Sequence, residues 1–219
     1  MEQKSQRKNQ IIGGIICIGL FLISLYSPLI YNSLDIITAD NVLIVNGVVL
    51  ALALTAMFVV CKKFDIEIFA KSKFKWWYLT LGFAVFILNI LKMIPLMLIF
   101  DQQSTANAEG LLMLAEMNVI YYILYTVIFA PIAEEIVFRG VILKTLFEKK
   151  PWIGLLVSSV LFAALHNITD AFSFINYFTI GLLFGGVYMI TKDVKWSILA
   201  HIINNAIAGL FVLLSILIQ

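Results

Sequence analysis

Charge is scarce in this 219-residue chain. Asp, Glu, Lys and Arg together make up 13% of it, about half the share of an ordinary soluble domain. Nor is there a polar stretch long enough to form a soluble domain, a linker, an internal repeat or a low-complexity tract. The two cysteines, Cys17 and Cys61, are too few and too poorly placed for a disulfide framework and read as ordinary membrane-helix residues. A net charge of +2 without a basic cluster gives no reason to expect nucleic acid. What fills the chain instead is apolar: 62% hydrophobic residues and a mean hydropathy of +1.02, the composition of an all-α polytopic membrane protein.

About 20 apolar residues cross a bilayer. On that measure the chain predicts seven membrane helices: Ile11–Tyr31, Asn41–Cys61, Trp76–Phe100, Asn118–Phe147, Trp152–His166, Phe174–Thr191 and Trp196–Ile218. The first is too long for a secretory signal and runs to Ser27-Pro28 without a small-residue cleavage pattern, so it is expected to stay as an anchor. Ser104–Met117 predicts a short amphipathic helix at the surface. Gly181 and Gly185, at small-xxx-small spacing, predict close helix packing.

Positive charge is missing from alternate loops. Lys4, Arg7, Lys8, Lys62, Lys63, Lys71, Lys73, Lys75, Lys144, Lys149, Lys150, Lys192 and Lys195 fall on one set of loops. Residues 33–40, 101–117 and 167–173 carry only acids, Asp35 and Asp40 among them. Because Lys and Arg near span ends stay in the cytoplasm, this predicts a cytoplasmic N-terminus, an outside C-terminus and residence in the cell membrane among its lipids. Trp76, Trp77, Trp152 and Trp196 fall at inner span ends, where they are expected to anchor at the interface. Lys92 lies inside the third span and is expected to snorkel to the outer headgroups.

Against this background Ala130-Pro-Ile-Ala-Glu-Glu-Ile-Val-Phe-Arg-Gly140 stands out. Each ionised side chain at the bilayer centre costs roughly 2.5–3.5 kcal/mol, which makes Glu134, Glu135 and Arg139 a functional-site expectation. At i,i+4 spacing Glu135 faces Arg139 and predicts an ion pair. Glu134 is turned about 100° away, toward a reaction site. The only two histidines, His166 and His201, lie in or at the ends of other spans, with Phe162 one turn before His166 and Asn205 one turn after His201. At about 1.5 Å of rise per residue, Glu134, His166 and Asn205 all fall roughly 18–21 Å above the inner ends of their helices. Pro131 removes a backbone hydrogen bond near Glu134 and predicts an opening there.

A carboxylate, two imidazoles and an amide around a water suit amide hydrolysis. Glu134 acts as general base with His166 sharing the water, while His201 and Asn205 donate to the developing oxyanion. A metal route is the open alternative, with Glu134, His166 and His201 as zinc ligands. The usual His-Glu-x-x-His helix is absent, as are Gly-x-Ser-x-Gly and Gly-x-Gly-Asp.

Glu134-Glu135-x-x-x-Arg139, Phe162-x-x-x-His166 and His201-x-x-x-Asn205, in this order on separate spans, resemble the motifs of the CAAX protease and bacteriocin-processing family (CPBP, or Abi) of intramembrane endopeptidases. The resemblance covers about the last hundred residues. It implies a four-helix catalytic core over residues 118–219, preceded by three spans and an outer loop over residues 1–117. It also implies catalytic roles for the six motif residues, a peptide or lipidated protein as substrate, and a bacterial source with a part in peptide maturation or bacteriocin self-immunity. Whether a metal takes part is left open. The rival readings are a non-catalytic immunity or scaffold protein, indifferent to changes at Glu134, and a small ion or proton carrier using the same buried groups as a relay.

Overall fold

The structure, a computed structural model, describes residues 2–33, 41–69, 74–102 and 104–218. Among these there are eight helices and no strand. They are α1 (Glu2–Ser33), α2 (Val42–Lys63), α3 (Trp77–Phe100), α4 (Ala106–Met117), a composite α5 (119–146), α6 (Pro151–Ala164), α7 (Ala171–Thr191) and α8 (Val194–Ile218). Every expected span has a helical counterpart, and the amphipathic segment is α4, whose N-cap Thr105 accepts from Ala108 N at 3.1 Å. Asp35, Asp40, Lys71 and Lys73, on which part of the expected sidedness rests, lie outside the described residues.

Among the described residues α1, α2, α3, α7 and α8 are long and apolar enough to cross a membrane. Their outward faces stay apolar: Leu98, Ile99, Leu217 and Ile218 are all well exposed, as suits hydrocarbon rather than water. This is a polytopic helical membrane protein. The expected fourth and fifth spans take another form. Helix α6 has 14 residues, about 21 Å at helical rise, so it stops short of a full crossing and leaves His166 just beyond its last turn. Asp170 then starts α7 earlier than expected, through a capping box with Ser173. The Ser173 backbone N–H and hydroxyl hold the Asp170 carboxyl down at about 2.

Helix α5 is α-helical over Val119–Ile123 and Ala130–Glu135 but π-helical over Leu124–Phe129 and Ile136–Leu146. The first π turn has a physical cause. Ala130 N–H bonds Tyr125 O, five residues back, so the Thr126 carbonyl would next be served by residue 131, a proline with no N–H. Asn205 Nδ2 supplies the missing donor from α8, at 2.9 Å. Two π segments thus flank the turn that carries Glu134 and Glu135, the usual setting for such wide turns.

One hydrophobic core joins Cys17 and Phe21 of α1 and Met57 and Cys61 of α2 to Phe138, Phe162 and Phe184. The cysteine thiols meet at 3.5 Å inside it, closer than their sequence positions suggest, and both are free. Helices α6 and α7 pack through the expected small-residue face. A Cβ on Gly181 would stand 2.9 Å from Ser159 Cα, and one on Gly185 would collide with Leu155. Two other expectations are corrected. Trp196 is only 6% exposed, its ring packed 5.0 Å from Tyr78 and 5.5 Å from Phe74, because the start of α8 folds inward. Lys92 turns inward as well: Nζ donates to Asn176 O, Asn176 Oδ1 and Thr179 Oγ1 at 2.5–2.8 Å. An ammonium has three N–H groups to satisfy, and α7 offers acceptors at that depth where lipid offers none.

Candidate active site

The two adjacent carboxylates have opposite surroundings. Glu135 is fully buried and saturated. Its Oε1 receives Arg139 Nη1 at 2.8 Å and His201 Nδ1 at 3.0 Å, and its Oε2 lies 2.5 Å from Ser197 Oγ. Arg139, also fully buried, donates its other arm to Gly181 O at 2.8 Å. Its guanidinium sits 5.1–5.8 Å from the ring centroids of Phe138, Phe162 and Phe184. The expected i,i+4 pair therefore forms inside an aromatic cage, which shields an ion pair from exchange with water while leaving each charge partnered.

Glu134, about 100° around the helix, has none of this. Its Oε2 has no hydrogen-bond partner among the described residues, and His201 Nε2 lies 3.9 Å from it. The side chain is 13% exposed and borders a cavity of about 20 Å³, room for one water. Phe21 and Ser24 of α1, Leu50, Ala53 and Met57 of α2, and Tyr125 of α5 form much of the remaining wall.

Hydrogen-bond direction fixes the imidazole tautomers. A carboxylate only accepts, so His201 Nδ1 carries a proton toward Glu135 and Nε2 faces Glu134. His166 Nδ1 lies 2.6 Å from Phe162 O; a carbonyl likewise only accepts, which leaves His166 Nε2 with a lone pair in the neutral ring. Phe162 links the two rings, with centroids 4.4 Å from His166 and 5.9 Å from His201.

The structure thus brings Glu134, Glu135, Arg139 and His201 into direct polar contact or close to it, and places His166 beside them through Phe162. Asn205 stands further along α8. One of its two amide protons serves Thr126 O and its Oδ1 accepts from Asn204 Nδ2, so a second N–H remains available. Asn204 also accepts from Asn89 of α3 at 3.1 Å, a bond between helices. Among the described residues no three His, Cys, Asp or Glu side chains converge as a metal-ligand set. Glu134, His166 and His201 do not close into the trio that zinc requires, and no step below runs through a metal.

Sequence reasoning missed Ser197 and Phe184. Ser197 is one turn before His201 on the same face of α8 and also reaches Phe184 O at 2.8 Å, and Phe184 stacks on His201 at 4.1 Å. The i,i+4 spacing of Ser197 and His201 was the available signal; nothing local marks Phe184.

Buried ionisable groups packed together in a helical membrane bundle, with Glu134 on the wall of a small and mainly apolar cavity, define the class, an intramembrane protein with an enzyme-like site. Residues 116–207 match the family model described as type II CAAX prenyl endopeptidase Rce1-like. The chain is 33% identical to the membrane-embedded CAAX protease MroQ of Staphylococcus aureus strain USA300 over 163 residues, covering 70% of this chain and 64% of that protein. It is 25% identical to the UPF0177 protein YvdC of Lactococcus lactis subsp. lactis strain IL1403 over 164 residues, covering 72% of this chain and 61% of that protein. The chain thus spans less than two thirds of either relative. No solved structure matches it.

Proposed function

We propose that this chain is an intramembrane endopeptidase that hydrolyses a peptide bond of a membrane-associated peptide or lipidated protein. The observation that carries the reading is the contrast between Glu135, saturated by Arg139, His201 and Ser197, and Glu134, unpartnered beside His201 at a water-sized cavity. Glu134 takes a proton from water as the oxygen attacks the scissile carbonyl carbon, with His166 Nε2 accepting a hydrogen bond from the same water. The oxyanion that forms accepts from the free Asn205 N–H and from His201 Nε2–H. That last donor exists only in the imidazolium form, because Nδ1–H already faces Glu135. Collapse breaks the C–N bond, and the proton on Glu134 passes to the leaving amine. Residues 118–219 supply this chemistry, and α1 and α2 within residues 1–117 form much of the cavity wall.

The Lys and Arg distribution supports a cytoplasmic N-terminus in a bacterial cell membrane. The resemblance of the three motifs to the CAAX protease and bacteriocin-processing family supports a role in peptide maturation or bacteriocin self-immunity. The test is cleavage of membrane-tethered peptide libraries by the purified protein and by Glu134→Ala, read by mass spectrometry with bound metal quantified on the same samples. Products from wild type alone support the reading. No products from either protein, with Glu134→Ala fully functional in cells, would overturn it.

A further inference from the structure

His166 is held like a plate between two rings. Phe162 lies on one side, 4.4 Å between centroids at 31°, and Tyr177 on the other, 4.4 Å at 21°. Stacking fixes the plane of the imidazole, and the Nδ1 bond to Phe162 O fixes its rotation within that plane. The Phe162 jaw is fully buried and packs against Phe138 at 5.3 Å and under the Arg139 guanidinium. The Tyr177 jaw belongs to α7, and its hydroxyl is tied elsewhere. Asn107 Nδ2 donates to Tyr177 Oη at 3.0 Å, and Thr105 Oγ1 lies 3.0 Å from the same atom. Thr105 and Asn107 are the N-cap and first turn of α4. The preceding loop is tied to the start of α7 as well, with Gln102 Nε2 donating to Asp170 Oδ2 at 3.1 Å.

We infer that Tyr177 is a positioning residue for His166, its ring fixing the direction of Nε2 and its hydroxyl making that direction depend on the seating of α4. The inference rests on the protease reading for its kinetic consequence but not for its geometry. A phenol is suited to both tasks, since the ring stacks while the hydroxyl both donates and accepts. Nothing in the three catalytic motifs requires a tyrosine here, and α4 precedes nearly all of the segment that matches the family model.

The test uses the full chain in lipid nanodiscs with ¹⁵N-labelled histidine. Only two imidazoles are present, and His166→Gln assigns their signals. Wild type is expected to show one His166 tautomer, protonated at Nδ1. Tyr177→Leu is expected to show mixed tautomers and a kcat lowered about 10- to 100-fold at unchanged KM, the scale of a catalytic group misplaced by about 1 Å. Tyr177→Phe and Asn107→Ala, which keep the ring but cut the tie to α4, are expected to show smaller losses in the same direction. These two carry the test if Tyr177→Leu does not fold. A single His166 tautomer in Tyr177→Leu, or wild-type behaviour of both Tyr177→Phe and Asn107→Ala, overturns the inference. If wild type cleaves nothing, the protease reading fails while the tautomer measurement still decides the role of Tyr177.

Discussion

Arg139→Met is the perturbation whose magnitude follows most directly from the structure. The change removes bonds of 2.8 Å to Glu135 Oε1 and to Gly181 O and empties the cage of Phe138, Phe162 and Phe184 of its cation. Methionine fills much of the volume, so the cavity cost is small. The dominant loss is electrostatic. Glu135, fully buried, keeps His201 and Ser197 but no permanent cation, and breaking one side of such a pair costs about 3–5 kcal/mol. Glu135→Gln strands the guanidinium in the same way, while its amide oxygen still accepts from His201. The double variant Arg139→Met/Glu135→Gln strands neither charge, so its destabilisation is expected to fall short of the sum of the two singles by at least about 2 kcal/mol. The assay is a double-mutant cycle on reversible denaturant unfolding in mixed micelles, followed by tryptophan fluorescence. Single variants each within about 1 kcal/mol of wild type, or strict additivity in the double, would refute the argument that this pair is desolvated and mutually dependent.

Other consequences can be checked separately. Gly181→Val forces a side chain onto the Ser159 backbone and is expected to cost about 1–3 kcal/mol, whereas Gly186→Ala, with nothing within 4 Å of its added carbon, is expected to be near neutral in the same unfolding assay. Asp170 is held at about 2, below its ordinary value of 3.8. Its stabilising contribution is therefore fully present above about pH 4 and lost as pH falls toward 2, and Asp170→Ala is expected to lower Tm at pH 7 but to lie closer to wild type at pH 2. Cys17 and Cys61, with sulfurs 3.5 Å apart, are expected to form an intramolecular disulfide under a membrane-permeant oxidant. A non-reducing gel that showed none would contradict the packing of α1 on α2.

Much of the bundle is legible in the sequence because bilayer thickness sets helix length and composition marks it. Less legible is what proline does at a distance: Pro131 signals an opening, but the π turn and the Asn205 amide that serves the orphaned Thr126 carbonyl emerge only when α5 and α8 are side by side. The Glu135–Arg139 pair could be read from i,i+4 spacing, since both partners share one helix. Ser197 and the Phe184 face came from two further elements with no shared local pattern. Lys92 and Trp196 went the other way from expectation for a common reason. Each has a polar or apolar residue type that fits the interface on average, and each is captured by partners specific to this fold, Asn176 and Thr179 for one and Tyr78 for the other.

The central claim is that Glu134, not its saturated neighbour, activates water. The most direct measurement compares single-turnover cleavage of a processed membrane peptide by wild type and Glu134→Gln in H₂¹⁸O, with mass spectrometry reading the label. The account predicts one ¹⁸O in the new C-terminal carboxyl group of the wild-type product and a rate lowered about 10²- to 10⁴-fold in Glu134→Gln, the range of a lost general base. Undiminished, ¹⁸O-labelled cleavage by Glu134→Gln would contradict it.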